Sequence, residues 1–432
     1  MQKSFDINEK PPLLQALPLA FQHVFAMFGA TVLVPFLTGL DPAVALFTSG
    51  IGTLMFHLIT RGKVPAYLGS SFAFIPPLAA YVSGANDLPS AMGGAFVAGL
   101  VYVLVFGLIK VFGTGFIKRL VPSVVVGPVV MIIGLALADV AVKDMASPHW
   151  PTAIFTLVMA IIFSVFTRGF FKVVPILLGI ISGYIFAAVF QMVEPSTQIM
   201  LGQNAVPLFS LDAVKASFQA QNFMGYLHLP QFVIPSFNFA AIMAIAPIAL
   251  VAIIEDLGHI LVIGNITKRD LVQDPGFDNV LLGNGLATSV AALFGGPPST
   301  TYGENIGVIS ITRVYSSMVI QIAAVIAILL SFLNPVRALI GSIPVPVMGG
   351  IVILLFGMIA AAGIRSMIEA KTDLSSTRNL IIASIILILG VGLKNVGYAT
   401  LAGIVLNLIL PQDKPDADYI ATLEADTVEE TK

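Results

Sequence analysis

The sequence predicts an all-α integral membrane protein of fourteen transmembrane segments, arranged as two inverted repeats of seven. Two short antiparallel strands are expected in the broken third and tenth segments. Three observations predict this. Of 432 residues, 57% are hydrophobic and only 10% charged, with a mean hydropathy of +0.97, whereas soluble domains carry about 25% charged residues. Lys and Arg fall almost wholly in alternate loops. Motifs of the first half return in the second.

A helical span needs about 20 apolar residues. Hydrophobic segments run near 14–39, 43–60, 66–81, 91–110, 121–139, 151–167, 173–193, 238–263, 279–294, 301–311, 316–333, 345–362, 379–393 and 398–411. Met1 to Lys10 is polar and no small-residue cleavage pattern follows, so the first segment is expected to be a span of the mature protein. The connections are brief except for the polar stretch 194–237, the natural seam between two halves.

Counting spans this way places every Lys and Arg but Lys143, Lys215, Arg337 and Lys394 on one side, out of 21 in all. The positive-inside rule then puts both termini in the cytoplasm, which requires an even number of spans. In the repeat, Pro122 matches Pro344 at an offset of 222, and Gly127 and Gly134 match Gly350 and Gly357 at 223. Leu68–Phe74 corresponds loosely to Pro298–Glu304. Seven spans is an odd number, so the second copy enters the membrane upside down. Inverted repeats with broken helices at matching places point to a secondary transporter whose site lies at the midplane.

The breaks have a use. Val64–Pro77 and Gly295–Gly303 mix β-formers and hydroxyl residues with Pro and Gly, and neither can cross as a helix. Irregular backbone is tolerated at this depth only where it pairs inside the protein or lines a wet cavity. Two strands meeting between the repeats would satisfy each other and aim the N–H groups of two half-helix starts inward, where they suit carbonyl oxygens.

Charges buried in apolar sequence mark the candidate site. Glu255 and His259 interrupt the run Ala240–Ile263, and Glu304 lies in Ser299–Arg313. An ionisable group in hydrocarbon costs roughly 2.5–3.5 kcal/mol even on lenient scales and normally faces a working cavity. Glu255 and His259 are four apart and share a helix face, whereas Asp256 points about 100° away, nearer another polar neighbour. The pair reads as a proton and substrate site, with a structural hydrogen bond or a metal half-site as alternatives. No second His–carboxylate pair stands in apolar sequence to complete a metal site. His23 is a candidate for the same network, or for a helix–helix hydrogen bond. His57, His149 and His228 lie at span ends or loops and are read as incidental.

Two carboxylates, backbone N–H donors and aromatic rings describe a small, flat, neutral ligand with N–H groups beside carbonyls. A ring imide such as uracil fits, with Phe72, Tyr302 or Phe356 over its faces. An anion would want Lys or Arg, and a sugar many more Asn, Gln and Asp. The chain has no cysteine, hence no disulfide, thiol nucleophile or thiolate metal site. No basic stripe for nucleic acid is present, and no phosphate-binding loop, HExxH or nucleophile elbow supports an enzyme. No cofactor is expected. The formal net charge of −2 identifies no partner.

The string Glu304-Asn305-Ile-Gly307-Val-Ile-Ser-Ile-Thr312-Arg313 resembles the signature of the nucleobase–ascorbate transporter family (nucleobase:cation symporter type 2), as do Lys63–Phe74 and Gln22–Pro35. The likeness covers essentially the whole chain and is closest to the family's bacterial uracil permeases. It implies a core domain (1–120 and 238–334), a gate domain (121–194 and 335–411), an extracytoplasmic linker (195–237) and an acidic cytoplasmic tail (412–432). It also implies uracil import with a proton and a homodimer in the bilayer of the bacterial cytoplasmic membrane. By position, Glu255 and Glu304 would hold the base, and Phe72 and Gly303 would offer backbone amides. Ala30, Tyr302 and the gate residue Phe356 would pack on the ring, with His259, Glu255 and His23 serving proton coupling. Some members carry Tyr where Phe356 stands, so a polar gate contact is not expected here. Glu at 304 fits the pyrimidine branch better than the xanthine branch. A purine permease or an anion carrier of the same fold is the competing expectation, and a channel or membrane enzyme a more distant one.

Overall fold

A computed structural model describes residues 5–85, 87–113, 122–201, 204–219 and 226–411. The tail 412–432 and the loop holding Lys118 and Arg119 lie outside the described residues. The first helices are α1 (Leu13–Thr38) and α2 (Pro42–Ile59), the second started by the Asp41 side chain, which accepts from the Ala43 N–H. The third segment is broken as expected: strand β1 (Leu68–Ser70), a 3-10 turn Phe72–Phe74, then the short α3 (Ile75–Ala79). Helix α4 follows at Leu88–Phe112.

Next come α5 (Ser123–Leu135), α6 (Trp150–Phe166) and α7 (Pro175–Val193). The fifth segment continues beyond residue 139 in wide helical turns to Ala146. Sequence alone ends it early because Asp139 and Lys143 read as a boundary. They instead form an ion pair at 3.0 Å, joined by Lys394 at 3.3 Å. The helix breaks before α6 at His149, whose extended backbone (φ −154°, ψ 84°) and ring Nδ1, accepting from the Thr152 N–H, start the next helix.

The polar linker is partly structured, with a hairpin of β2 (Gln198–Leu201) and β3 (Asn204–Pro207) and a short helix α8 (Asp212–Phe218). Beyond it lie α9 (Phe239–Ile245), α10 (Ala249–Thr267) and α11 (Phe277–Leu293). The tenth segment is strand β4 (Ser299–Thr301) leading into α12 (Gly303–Thr312). The chain ends in α13 (Ser317–Ser331), α14 (Asn334–Gly341), α15 (Val345–Glu369), α16 (Thr377–Leu393) and α17 (Val396–Ile409). Among the described residues, seven helical stretches are long and apolar enough to cross a membrane, and four shorter ones are also apolar. The short α8 and α14 pack on each other. They are too short to register as hydrophobic segments.

Two packing groups stand out. Helices α1, α2, α4, α11 and α13 pack on one another, and α5, α6, α7, α15, α16 and α17 do likewise. Small residues permit the closeness. A Cβ on Gly134 would strike the Phe356 carbonyl, and one on Gly363 would meet the Gly127 carbonyl. Without a hydrophobic drive between helices in lipid, such backbone approach supplies the packing energy.

Strands β1 and β4 pair antiparallel, Leu68 opposite Thr301, Gly69 opposite Thr300 and Ser70 opposite Ser299. The pairing extends at both ends, Ser71 N–H to the Pro298 carbonyl and Tyr302 N–H to the Tyr67 carbonyl, each 2.9 Å. The expectation of two mutually satisfying strands is met.

Candidate functional site

The strand crossing sets two helix starts beside each other. Each helix leaves its first N–H groups without intrahelical partners. Gly303 is the first residue of α12, after Tyr302 in extended backbone (φ −92°, ψ 122°). Phe72 begins the turn after β1. Facing them is α10, broken at its entry by Ala246-Pro247-Ile248.

Between these elements lies a cavity of about 330 Å³, lined by Ser70, Phe72, Glu255, His259, Thr300, Thr301, Tyr302, Gly303 and Glu304. Small-ligand sites run from about 300 to 1,000 Å³, so it suits a small ligand. Glu255 and Gly303 are exposed to it, and Phe72, His259 and Glu304 are half-buried. Gly303 and Glu304 also border a second cavity of about 550 Å³ between α1, α7, α12 and α15, which reaches Ser164 and Lys172.

Six expected site residues therefore meet at one cavity: Glu255, Glu304, Phe72, Gly303, Tyr302 and His259. Tyr302 is nevertheless only 3% exposed, because its hydroxyl donates to the Ser70 carbonyl at 3.2 Å and accepts from Thr31 Oγ1 at 3.3 Å. Ala30 and Phe356 are buried and do not line the cavity. His23 is also buried. Its Nδ1 and carbonyl each accept from the Asn305 side-chain amide at 3.1 Å, which joins α1 to α12 immediately after Glu304. His57 is a structural link between α2, the segment before β1 and α13. Its Nε2 meets the Ala66 carbonyl at 2.8 Å and its Nδ1 lies 3.2 Å from the Gln321 amide.

Sequence reasoning underrated Asp256. Fully buried, it accepts at Oδ1 from Thr300 Oγ1 (3.0 Å), Thr301 N–H (3.0 Å) and Thr301 Oγ1 (2.8 Å). Its Oδ2 accepts from the Tyr102 hydroxyl at 3.2 Å. The signal in the sequence was its place beside Glu255 in an apolar run. What it binds comes from segments far along the chain. No group of three or more His, Asp or Glu side chains among the described residues could hold a metal ion.

Several known proteins resemble this chain. The xanthine/uracil permease model, described as the Permease family, matches residues 14–397. The uracil permease of Bacillus caldolyticus is 45% identical over 431 residues, covering 94% of each chain. That of Bacillus subtilis strain 168 is 42% identical over 454 residues, covering 98% of this chain and 97% of its own. That of Escherichia coli K12 is 42% identical over 428 residues, covering 94% of both. Among solved structures, SLC26A9 aligns with TM-score 0.65 at 10% identity, over 92% of this chain and 65% of that one. The transmembrane domain of the cyanobacterial bicarbonate transporter BicA gives 0.62 at 15% identity, over 94% of this chain and 100% of its own. Those two likenesses concern the fold alone. The length and identity of the permease matches settle the family: this chain is a multi-pass membrane permease belonging to the nucleobase–ascorbate transporters.

Proposed function

We propose that the protein is a proton-coupled symporter that imports uracil across the bacterial cytoplasmic membrane. The observation that carries this reading is the cavity beside the paired strands, where Glu255 and Glu304 share the lining with Phe72 and Gly303, the first residues of two helical starts. Glu255 and Glu304 accept from ring N–H groups, Phe72 and Gly303 donate backbone N–H to ring carbonyls, and the Phe72 ring covers a face. His259 and Glu255 carry the coupled proton, and His23 steadies α12 through Asn305. No Lys or Arg lines this cavity, which argues against the anion cargo that BicA is named for. Relatives named uracil permeases, at 41–45% identity, support the pyrimidine choice.

The architecture goes with it. Fourteen spans form two inverted repeats, a reading that the antiparallel pairing of β1 and β4 supports. The two packing groups are the core and gate domains, with 195–237 as the extracytoplasmic linker and both termini cytoplasmic. The larger cavity is the cytoplasmic route to Glu304. Ala30 and Phe356 reach the base when the gate rocks against the core, and the working unit is a homodimer.

Uracil is neutral, so one co-transported proton moves one charge, worth about 2.3 kcal/mol per 100 mV, or roughly fifty-fold accumulation. Radiolabelled uracil uptake into proteoliposomes tests this. An inward proton gradient should drive accumulation that a protonophore abolishes. Uptake that ignores the protonophore and follows a sodium gradient would overturn it.

A further inference from the structure

His259 is not held by Glu255, its neighbour one turn away. Its Nδ1 lies 2.8 Å from Thr301 Oγ1, and that hydroxyl donates to Asp256 Oδ1, also at 2.8 Å. Asp256 and His259 are three residues apart on α10, and Thr301 of β4 sits between their side chains. A hydroxyl has one proton. Three donors converge on Asp256 Oδ1 and a fourth on Oδ2, so the carboxylate acts as acceptor throughout and takes the Thr301 proton. The lone pair of Thr301 Oγ1 then faces His259 Nδ1, which must carry a hydrogen to donate. In the neutral ring the other nitrogen is left as an acceptor. That nitrogen, Nε2, points toward Gly303, lying 3.6 Å from where a Cβ on that glycine would stand.

We propose that Thr301 and Asp256 are positioning residues for His259, fixing its proton on Nδ1 and presenting a bare Nε2 to the cavity. This rests on the reading of His259 as the proton-coupling group. A proton arriving through the cavity adds to Nε2. The imidazolium formed keeps its Nδ1–H bond to Thr301, with Asp256 behind the hydroxyl as counter-charge, so no bond in the relay has to break. The titratable groups around the ring are Glu255 on its own helix, Glu304 from α12, Tyr302 before it and Asp256 through Thr301. Tyr102 of α4 holds the far oxygen of Asp256. Because Thr301 is also the last residue of β4, the relay ties the ring to the strand crossing that positions Gly303 and Glu304.

The test is nitrogen-15 NMR of histidine-labelled full-length protein, with uracil and gradient both absent. The chain has only 5 histidines, and the signal that disappears in His259→Gln identifies the one of interest. The neutral parent should show His259 as the Nδ1–H tautomer. Thr301→Val, which keeps volume and deletes the hydroxyl, should abolish that preference, and Thr301→Ser should retain it. A parent spectrum with the proton on Nε2 overturns the proposal even if the valine variant fails to fold. So does a folded valine variant that keeps Nδ1–H. Failure of proton-driven uptake with the Nδ1–H signal intact would refute the symport reading and leave the positioning role standing.

Discussion

Gly69→Ala should disable uracil binding through the Tyr302 ring, leaving the carboxylates that hold the base unaltered. Gly69 lies in β1 opposite Thr300, and the Tyr302 ring lies across it. A Cβ there would stand 2.7 Å from the Tyr302 hydroxyl and inside van der Waals contact of the ring carbons Cζ and Cε2. The ring is held in place, being only 3% exposed with its hydroxyl bonded to Ser70 and Thr31. Overpacking a tight interior costs about 1–3 kcal/mol, and losing two hydrogen bonds about 0.5–1.5 kcal/mol each, or about 2–6 kcal/mol in all. Tyr302 immediately precedes Gly303 and Glu304, so its displacement moves both the amide donor and the carboxylate. The low end of that range already corresponds to a roughly thirty-fold loss. Calorimetric titration of uracil into purified protein, with thermal unfolding alongside, measures it. The clash should disappear in a Tyr302→Ala background, giving a strongly non-additive double-mutant cycle. Parent-like affinity and stability in Gly69→Ala, or an equal penalty in both backgrounds, would refute the reasoning.

Glu255→Gln and Glu304→Gln should each weaken uracil binding about ten- to a hundred-fold, because a donor replaces an acceptor and an unpaired buried donor costs about 1–3 kcal/mol. Unfolding midpoints should stay close to parent, and unchanged affinity would remove that residue from the site. In displacement of labelled uracil, xanthine and guanine should compete poorly, since a two-ring base must fit between Ala30, Phe72 and Phe356 while its imide edge reaches Glu304, and the gate would have to open wider. Thymine should lose moderately, one methylene being worth about 1–3 kcal/mol in a pocket. Cytosine, with an acceptor where uracil has N3–H, should also fail, and xanthine displacing as well as uracil would end the pyrimidine assignment. Asn305→Leu should lower thermal stability by about 1–3 kcal/mol, since it removes both bonds to His23 and leaves the buried ring nitrogen Nδ1 without that donor. An unchanged unfolding midpoint would show that this link between α1 and α12 is dispensable.

Much of the molecule could be read from the chain because a bilayer leaves few options. Backbone groups in hydrocarbon must be satisfied internally, so long apolar runs are helices, and the two Pro/Gly-rich interruptions had to find each other. Glu255, His259 and Glu304 were conspicuous for the same reason: apart from Asp256 beside Glu255 and Arg313 at the end of the second run, nothing else in their runs is charged. The short helices α8 and α14 and the hairpin in the linker escaped notice because polar or amphipathic segments outside the bilayer carry no such constraint.

What composition and pattern determined by themselves was the class of protein, the positions of the broken segments and the charged residues of the candidate site. The tertiary structure alone decided which partners those residues have. Spacing along α10 places Glu255 and His259 on one face and suggests that they work as a pair, yet the imidazole is bonded through Thr301 to Asp256. Nothing local to residues 255–259 reveals this, since Thr301 comes from a strand 42 positions after His259 and Tyr102 from helix α4, 154 positions before Asp256. Likewise Ala30 and Phe356 are buried away from the cavity here, because where a helix presents its side chains depends on how two packed groups stand against each other. Helix periodicity and the expense of burying charge are local and can be read in one dimension. A hydrogen bond has a direction and a single proton, and only the folded arrangement determines where that proton goes.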